Sequence, residues 1–399
     1  MRLFDTLRQQ IEPLDMRDQQ VSLYVCGITP YDTTHLGHAF INVIYDSLVR
    51  YLRWRGATVR YVQNVTDIDD DILRKSRETG IPWDELGARE TERYLSDLRA
   101  LNVVMPDHYV RASDETAMMI EMIEALLTQG LAYVRDGWVY YAVRKDPGFG
   151  RLADAGGYVG YDNWLATANE RGNFPDDPRK DDPLDFVLWQ AQQPGEPAWP
   201  SPWGPGRPGW HIECSAMSVK YLGKQVDIHG GGADLVFPHH TCEIAQSEHA
   251  TGVSPFVRIW MHCAMVELDG VKMSKSLGNL VLVRDLLPDY SPDAIRVLLL
   301  GHHYRAAWSY TEDDMRAAAE LAAHLKQAVS ATPHEGEDTG VEAAQQARLE
   351  FIAALENDFQ SPQALAALNR LAKHICASHS AAQITMLREL AGTVGLRLD

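Results

Sequence analysis

The first third of the chain combines short apolar runs of β type with a stretch of helical periodicity. Residues 21–26 form a short run with β-branched and aromatic residues that ends at Gly27, which predicts a buried strand that enters a loop. Apolar residues then recur at helical spacing from His38 to Gly56, and residues 58–62 predict a second strand. A strand, a helix and a strand over about 45 residues predict a parallel crossover connection.

The middle of the chain departs from this pattern. A helix is predicted from Ser113, as its N-cap, to Gly130, just after its last turn. Residues 146–209 are rich in Pro, Gly, Asp and Trp, which predicts loops and a small sheet rather than a long helix. The α/β pattern returns over 210–261, so we predict that an insertion at about 105–205 interrupts one α/β fold.

The last quarter of the chain changes character again. After Tyr310 the residues are rich in Ala and Leu at helical spacing, with a polar interruption at 332–340 that predicts a loop. We therefore divide the chain into an α/β unit, residues 1–305, and a helical domain, residues 306–399.

Composition narrows the classes of function. The 399 residues are 45% hydrophobic and 23% charged, which is typical of a soluble globular protein. With 37 Lys and Arg against 55 Asp and Glu, the net charge of −18 excludes bulk attraction to nucleic acid, so a nucleic-acid partner would need a local basic face. The first residues lack a signal-peptide pattern, and no apolar run approaches the ~18 residues of a membrane span. Few and dispersed cysteines argue against disulfides and for a reducing cytoplasm: Cys26, Cys214, Cys242, Cys263 and Cys376.

Two histidines flank a glycine where the first predicted strand leads into the helix. His35, Gly37 and His38 lie at the predicted N-terminus of that helix, whose unpaired N–H groups and positive dipole end favour phosphate. Gly37 allows a ligand to approach the backbone closely, and the two imidazoles can donate hydrogen bonds to phosphate oxygens. Taken alone, the segment is equally consistent with a loop that carries two unrelated histidines.

A second polar segment, residues 272–279, carries Lys272 and Lys275 ahead of another predicted helix. Two ammonium groups on a flexible loop can follow the charge that develops on a transferring triphosphate. Taken alone, this segment could be a solvated basic turn. The two segments in this order, each with an α/β half around it, resemble the signature of class I aminoacyl-tRNA synthetases, which implies a Rossmann-like catalytic core.

Within that superfamily the chain resembles the cysteinyl-tRNA synthetase family along essentially its whole length. The resemblance is carried by residues 24–27, 64–70, 209–217, 227–235 and 237–240. In that family one zinc ion holds the substrate thiolate, and the resemblance places its ligands at Cys26, Cys214, His239 and Glu243. The resemblance further implies that ATP binds with Mg²⁺, that the cysteine side chain lies by Thr66 and Trp210, and that Asp234 belongs to the same pocket.

The residues alone leave alternatives open at these positions. The sequence has no CxxC pair and so no local zinc motif, and a single cysteine is more readily a small buried hydrophobe. Trp210 can also be a core residue. Cys242 occupies a position at which the family usually has asparagine, and we expect it to point away because His239 and Glu243 define one face of a helix. The two remaining cysteines are interpreted as ordinary thiols.

A zinc ion suits an enzyme that must distinguish cysteine from serine. Serine differs from cysteine only by oxygen in place of sulfur, and a hydrophobic pocket separates near-isosteres weakly. A soft thiolate bonds to zinc as an alcohol at neutral pH cannot, and zinc lowers the pKa of the thiol so that it binds deprotonated.

Two sister activities of this core differ in the acceptor: tRNA(Cys), or the amine of an inositol-linked glucosamine in mycothiol synthesis. Glu243 and the complete 272–279 segment favour the tRNA ligase, which we place first, while residues 302–305 occur in both families. Residues 27–32 resemble the sugar ligase, and no sequence remains for a separate anticodon-binding domain. An inactive paralogue that acts as a binding module is a third alternative, against which the intact motifs argue.

If the acceptor is tRNA, a local group of Lys and Arg side chains must bind it, because residues 306–399 as a whole carry a net negative charge. We expect a cytoplasmic monomer that binds the acceptor end through a few cations such as Arg296, Arg305 and Lys326. Such binding should weaken steeply with salt, whereas binding of a sugar should not.

Overall fold

The fold is described from a computed structural model of the chain, which describes residues 1–30, 34–273, 277–333 and 340–399. Its strands are β1 Arg2–Asp5, β2 Gln10–Pro13, β3 Gln20–Ile28, β4 Thr58–Val65, β5 His108–Arg111, β6 Ala132–Arg135, β7 Trp138–Tyr141, β8 Phe186–Ala191, β9 Gly206–Pro208, β10 Val226–Gly232, β11 Val257–Cys263, β12 Val266–Leu268, β13 Val271–Lys272 and β14 Trp308–Tyr310. Its α-helices are α1 Leu36–Trp54, α2 Asp70–Thr79, α3 Trp83–Ala100, α4 Thr116–Thr128, α5 Arg151–Ala155, α6 Tyr161–Glu170, α7 Trp210–Leu222, α8 Thr241–Thr251, α9 Val283–Leu286, α10 Pro292–Leu300, α11 Glu312–Val329, α12 Val341–Glu356, α13 Ser361–Ser378 and α14 Ala381–Thr393.

A five-stranded parallel sheet in the order β11-β10-β3-β4-β5 forms the centre of the α/β unit. The predicted parallel crossover is confirmed, because β3 and β4 pair in parallel and α1 connects them. The strands β10 and β11 follow the insertion in sequence and complete the same sheet. Chain order runs outward in both directions from the junction of β10 and β3, and such a switch point is where open α/β sheets bind ligands at the carboxyl ends of their strands.

The segment between the two halves of the sheet forms a four-stranded antiparallel sheet, β6-β7-β8-β9. Its buried side chains, such as Tyr141 and Trp189, belong to the same apolar cluster as Cys214 and Met217 of α7. The added sheet therefore packs against the carboxyl side of the parallel sheet and forms a wall beside the switch point.

One predicted helix boundary is wrong. The helix α4 begins at Thr116, three residues after the predicted N-cap Ser113. Ser113 instead lies in the short 3₁₀ turn Ala112–Asp114, where its hydroxyl donates a hydrogen bond of 2.6 Å to Asp67. The side chain that looked like a cap ties this turn to the loop that follows β4.

The predicted helical domain is confirmed by α11 to α14, which pack on one another and on α1 and α10. Among the described residues, none of the helices has the combined length and apolar character that crossing a membrane requires. Arg296 of α10 is fully buried and forms an ion pair with Asp46 of α1. It also donates hydrogen bonds to the carbonyl oxygens of Leu101 and Val394. The expectation that Arg296 contacts RNA is therefore wrong, because this cation joins the two units from inside.

A second junction involves the residues 302–305 that both sister families share. Asp358 of the helical domain is buried and accepts hydrogen bonds from Tyr304 at 2.6 Å and from Arg305 at 2.8 Å. The backbone N–H of Phe4 in β1 also donates a hydrogen bond of 2.9 Å to Asp358 Oδ1. The cation of Arg305 is thus held by a carboxylate, and Lys326 donates to the backbone carbonyl of Asp399, so both cations expected at the RNA have intramolecular partners.

Removing the buried cation of α10 should destabilise the protein strongly. We expect Arg296→Met to lower the free energy of unfolding by about 3–5 kcal/mol. The buried Oδ2 of Asp46 and the carbonyl oxygens of Leu101 and Val394 then lose a charged donor, and Asp46 keeps the ion pair of its Oδ1 with Arg50. Denaturant unfolding of the full chain measures this change. Arg74→Met, which removes an exposed cation paired with Asp71, is the control and should leave the unfolding midpoint unchanged. Equal effects of the two substitutions would contradict the role assigned to Arg296.

Candidate active site and metal centre

A cavity of about 1260 Å³ opens at the carboxyl ends of β3 and β4. Cys26 and Gly27 of β3 line it, as do Asn64 and Thr66 at the end of β4. The antiparallel sheet and the start of α7 supply the opposite wall. The cavity therefore lies at the switch point of the sheet, where the chain topology predicts a ligand.

Four metal-binding side chains predicted from the sequence converge at the base of this cavity. Their ligand atoms all lie within 4.8 Å of one another, and the residues are Cys26, Cys214, His239 and Glu243. The two sulfur atoms are 3.7 Å apart. Glu243 Oε1 lies 3.6 Å from Cys26 Sγ and 3.2 Å from His239 Nε2. All four side chains are buried, which limits the water that reaches these donors.

The four side chains come from segments that are distant in sequence. Cys26 belongs to β3, and Cys214 lies in the first turns of α7. His239 lies in the helical turn Val236–His240 that precedes α8, and Glu243 lies in the first turn of α8. The spacing of four residues places both side chains on one face. The fold of the parallel sheet, rather than a local loop, therefore assembles the donor set.

Two further histidines extend the cluster, and the sequence analysis missed them. Cys26, His229, His240 and Glu243 form a second group with donor atoms within 4.8 Å of one another. Cys26 Sγ lies 3.3 Å from His240 Nε2 and 3.6 Å from His229 Nε2. His229 lies in β10 beside Tyr24 of β3, and this adjacency follows from strand pairing that the sequence does not display. For His240, the signal available in the sequence was its position directly after the predicted ligand His239.

Hydrogen bonds orient the imidazoles of the cluster. His239 Nδ1 lies 2.9 Å from His211 Nδ1, so a metal ion on His239 Nε2 leaves the hydrogen on Nδ1 to be donated to His211. His240 Nδ1 lies 2.8 Å from His262 Nε2, and His262 Nδ1 lies 2.8 Å from the hydroxyl of Thr6. These contacts fix the orientation of the His239 and His240 rings at Nδ1, on the side opposite the Nε2 atoms that face the cluster.

Burial favours the neutral form of each of these side chains and shifts its pKa accordingly. It raises the pKa of the Cys26 thiol, and the neighbouring Cys214 and Glu243 raise it further. Burial also raises the pKa of Cys214 and lowers that of His239. A divalent cation offsets this penalty because it favours deprotonated sulfur and neutral imidazole. Two sulfurs, an imidazole and a carboxylate are donors that fit such an ion.

The predicted substrate residues Thr66 and Trp210 line the same cavity. Trp210 is the first residue of α7 and is 38% exposed, which excludes the alternative that it is a core residue. Its indole stacks on the His239 imidazole with ring centroids 4.3 Å apart. An apolar surface therefore lies directly beside the donor set.

The first phosphate motif is placed at the N-terminus of α1, as predicted. His35 is the N-cap of the helix, and its Nδ1 accepts a hydrogen bond of 3.0 Å from the backbone N–H of Gly37. A Cβ atom at Gly37 would lie 2.8 Å from the His35 ring, so the glycine also makes room for this cap. The rings of His35 and His38 stack with centroids 3.9 Å apart, and His38 lines the cavity.

The second phosphate motif is described only in part. Lys272 forms an ion pair of 3.0 Å with Asp234, and both side chains are partly exposed. Neither is among the described residues that line the cavity with Thr66. Lys275 lies outside the described residues.

The other cysteines are not brought into the donor set. Cys242 is buried and lines the cavity, but it belongs to neither group of candidate metal ligands found among the described residues. Cys263 is also buried, and burial raises the pKa of its thiol. Cys376 is exposed on α13.

Comparison with protein families identifies two matching profiles. Residues 12–320 match the tRNA synthetases class I (C) catalytic domain. Residues 350–399 match the DALR domain. Together they account for the α/β unit and for most of the helical domain.

Curated relatives match over nearly the whole chain. A cysteine–tRNA ligase from Legionella pneumophila strain Paris is 44% identical over 399 residues, which cover 99% of this chain and 85% of the relative. A cysteine–tRNA ligase from Dehalococcoides mccartyi strain ATCC BAA-2100 / JCM 16839 / KCTC 5957 / BAV1 is 42% identical over 406 residues, covering 100% of this chain and 87% of the relative. An L-cysteine:1D-myo-inositol 2-amino-2-deoxy-alpha-D-glucopyranoside ligase from Parafrankia sp. is 45% identical over 381 residues, covering 95% of this chain and 83% of the relative.

Two solved structures of similar fold are tRNA synthetases named for other amino acids. Methionyl-tRNA synthetase from Mycobacterium tuberculosis, in complex with methionyl-adenylate, has a TM-score of 0.63 at 18% identity and covers 94% of this chain and 89% of its own. The leucyl enzyme of Agrobacterium radiobacter, solved in a ternary complex as LeuRS-tRNA-LeuAMS, has a TM-score of 0.69 at 12% identity, with 95% and 84% coverage. At these identities the likeness establishes the fold alone.

The donor set predicts stoichiometric metal. We expect about one divalent ion per chain of purified protein, and we expect Cys214→Ser to lose it because a serine hydroxyl stays protonated and is a poor ligand. Elemental analysis after gel filtration measures the ratio. Cys242→Ser is the matched control and should keep the metal, since this thiol is nearby and buried but outside the donor set. Metal loss from the control alone would contradict the assignment.

Proposed function

The chain belongs to the family of class I (C) tRNA synthetase catalytic domains, and we propose that it activates L-cysteine with ATP and transfers it to tRNA(Cys). The enzyme is then an ATP-dependent cysteine–tRNA ligase. The observation that carries this proposal is the buried donor set of two sulfurs, an imidazole and a carboxylate at the cavity beside the switch point of the sheet. An amino acid with a thiol is the substrate that such a set can distinguish from its near-isosteres.

We propose zinc as the resident ion, held by Cys26, Cys214, His239 and Glu243. The donor types support zinc, because mixed sulfur, nitrogen and oxygen sites are typical of it. When bound, zinc would stabilise the substrate thiol as a thiolate, which serine cannot imitate at neutral pH. Mg²⁺ is proposed to enter with ATP rather than at a site of its own.

The residues around the ion orient the rest of the amino acid. Trp210 would cover the substrate side chain with its indole, and Thr66 would contact the polar end of the molecule. With the thiol at the base of the cavity, the carboxylate points toward the N-terminus of α1. That carboxylate attacks the α-phosphorus of ATP, a new P–O bond forms, and the bond to the β-phosphate oxygen breaks as pyrophosphate leaves.

Phosphate stabilisation is assigned to two groups of cations and donors. His35, Gly37 and His38 at the start of α1 would hold the triphosphate on one side, because a helix N-terminus and imidazole N–H groups favour anions. Lys272 and Lys275 would contact it from the other side. Lys272 would exchange its carboxylate partner Asp234 for phosphate oxygens as charge develops.

The tRNA acceptor is supported by the family profiles and by relatives that match along the whole chain. The aminosugar acceptor is the second candidate, because a ligase named for that sugar is as similar in sequence. We propose that the enzyme acts as a monomer in the cytoplasm, where a reducing milieu keeps its thiols free.

Removing Lys272, the lysine of the second phosphate motif that lies within the described residues, should slow the activation of cysteine. We expect Lys272→Ala to reduce cysteine-dependent ATP–pyrophosphate exchange by about 10²–10³-fold, with a smaller change in the KM for cysteine, since the lysine acts on charge that develops in the transition state. Lys373→Ala, an exposed lysine of α13, is the control and should exchange normally. A near-normal rate for Lys272→Ala would remove it from the mechanism.

Offering each acceptor separately decides between the two transfer reactions. With ATP and cysteine supplied, we expect transfer to tRNA that falls steeply between low and high salt, because phosphate contacts release counterions. Lys326 is exposed, and we propose that its ammonium group exchanges the carbonyl of Asp399 for phosphate when tRNA binds, so Lys326→Glu should impair that transfer and leave pyrophosphate exchange intact. Salt-insensitive transfer to glucosaminyl-inositol, with none to tRNA, would establish the second candidate instead.

A further inference from the structure

The cavity contains a buried carboxyl group to which the proposed reaction gives no role. Glu213 lies in the first turn of α7, is 0% exposed and contributes to the cavity wall. Its Oε2 accepts a hydrogen bond of 2.9 Å from the Thr66 hydroxyl, whereas its Oε1 has no hydrogen-bond partner among the described residues. A buried carboxyl oxygen without a partner destabilises the fold, so packing alone gives no reason for a glutamate here.

The contacts around Glu213 form a chain of hydrogen bonds with one direction. It begins at the backbone N–H of Gly27, which can only donate, and which donates to Asn64 Oδ1 at 2.9 Å. This contact turns the amide so that Asn64 Nδ2 donates to Thr66 Oγ1 at 3.3 Å. The Thr66 hydroxyl in turn donates a hydrogen bond to Glu213 Oε2, which can accept it whether or not Glu213 Oε1 carries a proton.

This direction determines what Thr66 offers to a ligand. A hydroxyl has one hydrogen and two lone pairs. The hydrogen is committed to Glu213 and one lone pair accepts from Asn64, so one lone pair remains for the cavity that Thr66 lines. Thr66 therefore presents an acceptor to the ligand and no donor.

We propose that Glu213 is a positioning residue that keeps the Thr66 hydroxyl as a hydrogen-bond acceptor for the α-ammonium group of the amino acid substrate. This inference rests on the proposed function, since it takes cysteine as the substrate. An ammonium group only donates, so it is attracted by the lone pair of Thr66, whereas a carboxylate only accepts and is repelled by it. Glu213 thereby helps to place the substrate carboxylate away from Thr66 and toward ATP.

Two ligands and four variants test this assignment. The ligands are cysteine and 3-mercaptopropionate, which keeps the thiol and the carboxylate but lacks the ammonium group. Glu213→Leu removes the acceptor, Glu213→Gln keeps a carbonyl that can accept from Thr66, and Thr66→Val removes the hydroxyl. The fourth variant combines Thr66→Val with Glu213→Leu. Calorimetric titration measures both affinities in the metal-containing protein, and elemental analysis verifies the metal.

We expect Glu213→Leu to weaken cysteine binding about 10–100-fold, as for loss of a hydrogen bond to a charged group, and to leave the affinity for 3-mercaptopropionate unchanged. Glu213→Gln should stay within about threefold of the natural protein. The double variant should match Thr66→Val, because a residue that acts only through Thr66 has no effect once that hydroxyl is gone. Glu115→Leu is the control: it removes a buried carboxylate paired with Lys220 and Tyr221, and it should alter stability only.

Several results would overturn the inference. They are equal weakening of both ligands in Glu213→Leu, unchanged cysteine affinity in that variant, or additive losses in the double variant. If Glu213→Leu fails to fold or loses its metal, Glu213→Gln and Thr66→Val decide the question. The inference is supported if Thr66→Val loses affinity for cysteine but not for 3-mercaptopropionate, while Glu213→Gln keeps its affinity for cysteine. Any other pattern of affinities overturns it. Natural protein that binds cysteine but shows no cysteine-dependent pyrophosphate exchange would instead contradict the proposed function.

Discussion

The rest of the structure depends on a cluster of sulfur, nitrogen and carboxylate donors that is removed from water at the junction of β3 and β10. Buried polar groups destabilise a fold unless partners satisfy them, and here the candidate partner is a cation. The donors come from a strand and from two helix starts that are far apart in sequence, so only a correctly registered sheet can assemble them. The antiparallel sheet closes the same cavity from the other side, which limits water around the donors. The parallel sheet, the donor set and the cavity are therefore parts of one arrangement.

The surroundings of the cluster are held by contacts that reach the helical domain. His240 is supported by His262, which in turn contacts Thr6, immediately after β1. The same strand, at Phe4, donates its backbone N–H to Asp358. The N-terminal strand thus lies between the donor cluster and the domain that follows the catalytic unit. Arg296, which is paired with Asp46, donates to the carbonyl oxygen of Val394 and so joins the two units at a second place.

Much of this arrangement was predictable from the sequence. Periodicity predicted β3, α1 and β4 and the return to the same sheet after the insertion, because strong local patterns reflect burial directly. The candidate metal ligands came from resemblance to a family, since spacing in sequence carries no information about side chains that meet through strand pairing. His229 was missed for that reason, because its position beside Cys26 depends on the register of β10 against β3. Arg296 was expected to bind the acceptor end of a tRNA, and the structure shows it buried with a carboxylate instead, although charged residues are usually exposed. Ser113 looked like a helix cap, but its hydroxyl is used in tertiary contact with Asp67.

The central claim is that the buried donor set binds a metal ion that receives the thiol of the substrate. The most direct measurement is the absorption spectrum of cobalt(II)-substituted protein titrated with cysteine and, separately, with serine. The account predicts that cysteine adds intensity to the sulfur-to-cobalt charge-transfer bands, because a new thiolate joins the ion, and that serine leaves these bands unchanged. Identical spectra with both amino acids, at concentrations at which cysteine is bound, would contradict it.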